Sequence, residues 1–198
     1  MQLYAITDGT SGREPADRLI EQAARWAAGG VDFIQIREKH LSPAVLRGLT
    51  KAIVAAVRKQ NSNTRVLLNG AAELAREAGA DGIHLAGERL HEIDAVRLRL
   101  PGATLSVACH SAEEITQAHE AGATMALFAP VFEKPLPGGR LAGRGLEELE
   151  ATCAVADGMP VYALGGITVA NARLCMEAGA TGVAGIRLFA GEGWLLLR

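Results

Sequence analysis

Four times this sequence closes an alanine-rich stretch with the same punctuation: AGGVD at 28–32, AGAD at 78–81, and AGAT at 121–124 and again at 178–181. A glycine in that place adopts the left-handed backbone conformation that stops a helix and turns the chain back. Each time a run of strand-forming residues comes next. Four copies of one helix-to-strand device commit the chain to a repeating alternation, which neither an all-α nor an all-β architecture supplies.

Eight apolar runs carry the strand signal: LYAIT (3–7), FIQI (33–36), RVLLN (65–69), GIHLA (82–86), TLSVAC (104–109), MALFAPV (125–131), PVYALGG (160–166) and GVAGIRLF (182–189). Helix-period segments lie between them. PADRLIEQAARWAAGG opens with Pro15 near a first turn, and SPAVLRGLTKAIVAAVRK offers Ser42 as an N-cap before Pro43. Strict alternation argues for a parallel sheet covered by helices, and eight units can close into a (β/α)₈ TIM barrel, whose lower size limit is roughly 200 residues. An open doubly wound sheet is the alternative. The tail GEGWLLLR is short for a final helix, so an incomplete last unit is expected. With 198 residues, 49% of them hydrophobic, a single α/β domain over 1–198 has material for one large core.

A formal net charge of −2 offers no basic stripe for nucleic acid. No apolar run of about 18 residues spans a membrane, and the start MQLYAITDG is no secretory leader, so a cytoplasmic protein is expected. Cys109, Cys153 and Cys175 are odd in number and form no CxxC, which suggests neither a disulfide framework nor a zinc site. The expected partner is a phosphorylated small molecule, with neither nucleic acid nor membrane involved; a homo-oligomer is left open.

FIQIREK, residues 33–39, runs from a core strand straight into charge. In a TIM barrel the C-terminal ends of the strands form the active face. Gln35, Arg37 and Lys39 share one parity, so three donors are expected to converge on a phosphate or diphosphate. A solvated charge cluster is the plainer reading. A second anion site is suggested by ALGGIT (163–168): Gly165 and Gly166 close the seventh run and Thr168 stands where the next helix is expected to start. Gly185, Ile186 and Arg187 are the counterpart in the eighth run, and barrels often hold phosphate with the loops after strands seven and eight. The plainer reading is that these glycines only turn the chain.

Together YAITD, QIREK, LLNG, ADGIHLAGE, CHS, ALGGIT and AGATGVAG resemble, in order and over nearly the whole chain, the superfamily of thiamine phosphate synthase and its paralogue the thiazole tautomerase. The resemblance implies a (β/α)₈ barrel acting on phosphorylated thiamine precursors. The synthase joins a thiazole phosphate to a hydroxymethylpyrimidine diphosphate and expels diphosphate, while the tautomerase isomerises a thiazole carboxylate phosphate to its aromatic form. By the same resemblance Gln35, Arg37 and Lys39 match positions that hold the pyrimidine diphosphate, Asn69 matches a pyrimidine-contacting asparagine, and Gly165 and Gly166 match the loop that takes the thiazole phosphate.

The departures are specific. Gly70 stands where the synthase pattern has an aspartate after Asn69, and Gly87, Glu88, Arg89 stand where it has Gln-Glu-Asp; both aspartates would be magnesium ligands. The expectation is therefore no metal and no cofactor, with magnesium admitted only if the synthase reading holds. Lys134, Pro135, Leu136, Pro137 replace a Thr-x-Thr-Lys loop, and Ala108 replaces a serine. FAPVFE (128–133) and RLAGRG (140–145) match tautomerase signatures, but Pro130 stands where that branch carries an acid/base histidine.

Arg89 is expected to join Arg37 and Lys39 in neutralising the ligand's charge without an ion, since a guanidinium pairs bidentately with phosphate oxygens; a solvated arginine is the plainer reading. His110 is the acid/base candidate, at the end of the fifth run with a ring that exchanges a proton near neutral pH. It can equally help Ser111 cap the next helix. Cys109 is read as a small buried hydrophobe, and His84 can hydrogen-bond in the core or reach the site, the core being the favoured reading. The segment EKPLPGGRLAGRG (133–145) is expected to be a loop, either a lid carrying Lys134, Arg140 or Arg144 over the ligand or a surface loop. Three functions are in view: a tautomerase-type protein binding thiazole phosphate as the leading reading, a thiamine phosphate synthase, and a non-catalytic thiazole-phosphate-binding regulator.

Overall fold

The computed structural model describes residues 1–9, 16–60, 63–136 and 139–198. Eight parallel strands close into a barrel: β1 (Gln2–Ile6), β2 (Phe33–Ile36), β3 (Arg65–Leu68), β4 (Gly82–Leu85), β5 (Thr104–Cys109), β6 (Met125–Phe128), β9 (Val161–Leu164) and β10 (Gly182–Gly185). Round the barrel the order is β1, β10, β9, β6, β5, β4, β3, β2. The helices α1 (Ala16–Ala28), α2 (Pro43–Lys59), α3 (Ala72–Ala78), α4 (Ile93–Arg99), α5 (Ala112–Glu120), α6 (Leu146–Ala154) and α7 (Ala172–Glu177) lie in the crossovers. The closed barrel, rather than the open doubly wound sheet, is what the alternation builds. Among the described residues no helix is long and apolar enough to cross a membrane.

The repeated punctuation performs one mechanical task four times. Gly30, Gly79, Gly122 and Gly179 have φ of +83°, +73°, +88° and +89°. The next residue's N–H then reaches back to the helix: Val31 to the Trp26 carbonyl (3.0 Å), Ala80 to Ala75 (2.9 Å), Ala123 to Ala118 (2.8 Å) and Ala180 to Cys175 (3.0 Å). These bonds satisfy carbonyls that a helix end leaves open. The residue after that seals the foot of a neighbouring strand. Asp32 Oδ2 accepts from Leu3 N–H, Asp81 Oδ2 from Val66 N–H and Thr124 Oγ1 from Leu105 N–H, each at 2.8 Å.

Strand alternation divides the core in two. Leu3, Ile34, Ile36, Leu68, Ile83, Leu85 and Val107 face the helices in one cluster. Tyr4, Ile6, Phe33, Leu67, Met125, Leu127, Tyr162 and Ala184 fill the barrel from inside. Within that inner layer the rings of Tyr4, Phe33 and Tyr162 lie 5.7–5.8 Å apart, so the floor is packed rather than open. Any ligand must therefore enter from the C-terminal ends.

Three expectations are refined. The eighth run ends as a strand at Gly185, and two 3₁₀ turns, Arg187–Phe189 and Gly193–Leu197, take the place of a last α-helix. The segment expected to be a plain loop contains a small antiparallel hairpin, β7 (Lys134–Leu136) with β8 (Gly139–Leu141). Ser42 occupies the N-cap of α2 without a side-chain capping bond, the first turn being set instead by Pro43. Pro15 lies outside the described residues.

Candidate functional site: an open hollow at the C-terminal mouth of the barrel

A cavity of about 320 Å³ opens at the C-terminal ends of the strands, near the low end of the range for small-molecule sites. Of the residues picked out from sequence, Gln35, Arg37, Asn69, His110, Gly165, Gly166, Gly185, Ile186 and Arg187 line it. The strand order sets which face which. β3, ending before Asn69, lies four strands from β9, which ends before Gly165, whichever way round the barrel is counted. β4, carrying His84, lies likewise opposite β10, which ends at Gly185.

On the β2–β3 side Gln35 is buried inside the barrel, with its Nε2 donating to Tyr4 Oη at 3.0 Å. Asn69 Nδ2 donates to Gln35 Oε1 at 3.3 Å. Gln35 is thus spent holding its neighbours, and it is Asn69 that keeps a free amide edge at the cavity. Arg37 is half-buried, its backbone N–H donating to Thr7 Oγ1 at 2.8 Å. No carboxylate among the described residues pairs with its guanidinium.

Opposite, the glycines are required by shape. Gly165 has φ +97° and Gly166 +67°. A Cβ on Gly165 would lie 2.6 Å from Pro130 Cβ, and one on Gly166 would lie 2.7 Å from the Glu133 carbonyl oxygen. Among the described residues the N–H groups of Gly165, Gly166 and Ile167 meet no acceptor. Backbone N–H groups left open in this way form an anion-binding concavity. The dipole expected from Thr168 is corrected, because α7 begins only at Ala172. The Asn171 side chain accounts for the delay: its Oδ1 accepts from Thr168 N–H at 2.8 Å while its Nδ2 donates to the Gly166 carbonyl at 3.0 Å.

Two histidines reach the cavity. His110 follows β5; its Nδ1 lies 2.7 Å from the Ala129 carbonyl, which can only accept, so Nδ1 carries a proton and Nε2 remains as the basic atom of the neutral ring. The alternative capping role belongs to Ser111, whose hydroxyl accepts from Glu114 N–H at 3.1 Å. His84, expected in the core, lines the cavity while only 7% exposed. Burial pushes its pKa down to about 4, and the charges of Arg37 and Lys39 push the same way. The signal for it was strand parity: His84 alternates with Ile83 and Leu85, which face the helices. Cys109 is buried, and burial raises its thiol pKa to about 12, which removes it as a nucleophile.

Two expected participants lie elsewhere. Parity carries Gln35 and Arg37 to the cavity, but the strand ends at Ile36 and Lys39 stands exposed in the following turn, outside the lining. Arg89 belongs to a 3₁₀ turn, Gly87–Glu92, where its Nε and Nη2 donate to both Glu92 oxygens at 2.6 and 2.7 Å. It borders a different hollow, beside Glu73 and Arg99, so it does not complete a cation triad at the mouth. Nor do Arg140 and Arg144 line the cavity: Arg140 pairs with Glu133 at 2.7 Å and Arg144 with Glu148 at 2.9 Å, while the Lys134 side chain lies outside what the structure describes.

The family model described as thiamine monophosphate synthase matches residues 3–189. The chain belongs to this thiamine monophosphate synthase family. It is 34% identical to a thiamine-phosphate synthase from Methanoculleus marisnigri over 96% of this chain and 88% of that protein. It is 30% identical to one from Geobacillus kaustophilus, over 96% and 85% respectively. Among solved structures, a thiamine phosphate pyrophosphorylase from Pyrococcus furiosus superposes with a TM-score of 0.77 at 26% identity, covering 98% of this chain and 90% of that one. These relatives support membership in thiamine biosynthesis and favour the synthase reading over the tautomerase one.

Within the thiamine monophosphate synthase family, magnesium is the ion the resemblance admits. The donor set here does not fit it. Magnesium takes oxygen ligands, commonly one or two carboxylates, and neither Asp nor Glu lines the cavity. Glu88 is exposed on its 3₁₀ turn, Glu92 is engaged by Arg89, and among the described residues no group of three His, Cys, Asp or Glu could hold an ion.

Proposed function

We propose that this protein is a transferase of thiamine biosynthesis that joins a thiazole phosphate to hydroxymethylpyrimidine diphosphate, using fixed cations where a carboxylate-held metal would otherwise act. The observation that carries this reading is the placement of Asn69 and Arg37 across the cavity from the open N–H groups of Gly165, Gly166 and Ile167. Those N–H groups take the thiazole phosphate, with Arg187 at the rim as its counter-charge. The Asn69 amide, oriented by Gln35, matches the adjacent donor and acceptor of an aminopyrimidine edge. As the pyrimidine carbon bonds to the thiazole, diphosphate departs with the electron pair of its C–O bond, and the Arg37 guanidinium stabilises the charge that develops there.

Both precursors incubated with the protein should give thiamine phosphate and diphosphate in equal amounts, and a chelator should leave ligand affinity unchanged. Arg37→Ala should weaken diphosphate binding about 10- to 100-fold, as expected for one charge-assisted contact. Chelator-sensitive binding would exclude cations as the substitute for metal.

The geometry of His110 favours a second reading. A neutral ring pinned through Nδ1 to Ala129 keeps a base at Nε2, beside the Pro130 position where the tautomerase branch has its histidine. Isomerisation of thiazole carboxylate phosphate without any thiamine phosphate formation, lost in His110→Ala, would establish that reading instead. Binding of thiazole phosphate with neither reaction would leave the regulatory one.

A further inference from the structure

We propose that Tyr4 and Ser106 are positioning residues that fix His84 as the Nε2–H tautomer, so that this wall of the cavity presents a hydrogen-bond donor and selects an acceptor atom on the ligand. A line of side chains inside the barrel carries the argument: Asn69, Gln35, Tyr4, Ser106 and His84, from five different strands or strand ends.

Each link has one direction. Asn69 Nδ2 donates to Gln35 Oε1 at 3.3 Å, which orients the Gln35 amide. Its Nε2 can only donate, and it does so to Tyr4 Oη at 3.0 Å. The Tyr4 hydroxyl therefore keeps its own single proton, and Tyr4 is fully buried, where an unspent O–H is costly. Its acceptor is Ser106 Oγ at 3.3 Å. Ser106, equally buried, then has its proton for His84 Nδ1 at 2.9 Å. A ring nitrogen that accepts carries no proton, so the proton of the neutral imidazole sits on Nε2. The reverse order would need both the Gln35 and Asn69 amides turned over, since turning Gln35 alone would place two NH₂ groups against each other.

Register supports the geometry, since His84 and Ser106 are paired across β4 and β5 and both point inward. The neutral ring is secured by burial, which holds the His84 pKa near 4. The result holds whichever reaction the site performs, and its ligand consequence alone rests on the cavity being the ligand site.

Nitrogen-15 NMR of the ring in the free protein near pH 7 reads the tautomer directly. The expected spectrum has a protonated Nε2 and an unprotonated Nδ1; a protonated Nδ1 would overturn the proposal. Tyr4→Phe keeps the packing but removes the hydroxyl that orders Ser106, so mixed tautomers are expected. Asn69→Asp, able only to accept, should turn the Gln35 amide and reverse the whole line, moving the proton to Nδ1. If both variants kept the native spectrum, the line would not be what sets the tautomer. With thiamine phosphate as the probe, Tyr4→Phe should bind about three- to tenfold more weakly. Mixed tautomers with unaltered thiamine phosphate affinity in that variant would overturn the ligand part alone.

Discussion

Replacing Gly165 by alanine is expected to lower affinity for a phosphorylated ligand by about 100-fold and the melting temperature by about 4–8 °C. The reason is steric and conformational at once. At φ +97° an L-residue sits in a sparsely populated region, at a cost of about 1–3 kcal/mol. The new Cβ would also lie 2.7 Å from Pro130 Cα, which is backbone and cannot rotate away. Relief requires the loop to move, and the open N–H groups of Gly165 and Gly166 move with it. A strain of about 2 kcal/mol corresponds to a shift of roughly 4–8 °C in a chain of this length. The strands below are anchored separately, as Val131 N–H donates to the Leu164 carbonyl at 2.9 Å, so the barrel should remain closed. Isothermal titration with thiamine phosphate, paired with thermal unfolding, separates the two effects. Undiminished affinity in Gly165→Ala would show that these amides do not hold the phosphate.

The second large effect is a pH dependence of stability centred on His84. Its folded pKa of about 4 lies below the value of about 6.5 for a histidine in an unfolded chain. Between those two values the unfolded chain binds a proton that the folded protein refuses. Stability is therefore complete above pH 6.5, declines as pH falls through 6 and 5, and levels off below about 4. At about 1.4 kcal/mol per pH unit the total loss is about 3.5 kcal/mol, of which about 2 is lost by pH 5. Urea unfolding at pH 7.5 and pH 5 should resolve it. His84→Gln, whose side chain does not titrate, should lose about 2 kcal/mol less between those two pH values. Carboxylate contributions are common to both proteins and cancel; parallel pH profiles would contradict the assignment.

His84 also shows where sequence reasoning stops. Its inward parity was readable from the alternation of Ile83, His84 and Leu85, yet parity alone does not distinguish a floor residue from one at a cavity. That distinction depends on how high the plug of Tyr4, Phe33 and Tyr162 rises, and those residues come from three strands. Lys39 and Arg89 fail for local reasons of different kinds. The β2 strand ends at Ile36, so parity has no meaning at Lys39. Arg89 lies three residues from Glu92 in a 3₁₀ turn, where side chains at that spacing stack, and the pair neutralises itself.

The amino-acid order by itself determined the barrel, its helix ends and the two loops that meet over its mouth, because glycine's tolerance of positive φ and the strand and helix periods act between near neighbours. Only the tertiary structure decided which polar groups share the hollow and in which direction their protons point. Tyr4 and Ser106 are 102 residues apart, and no local rule reports the 3.3 Å between them.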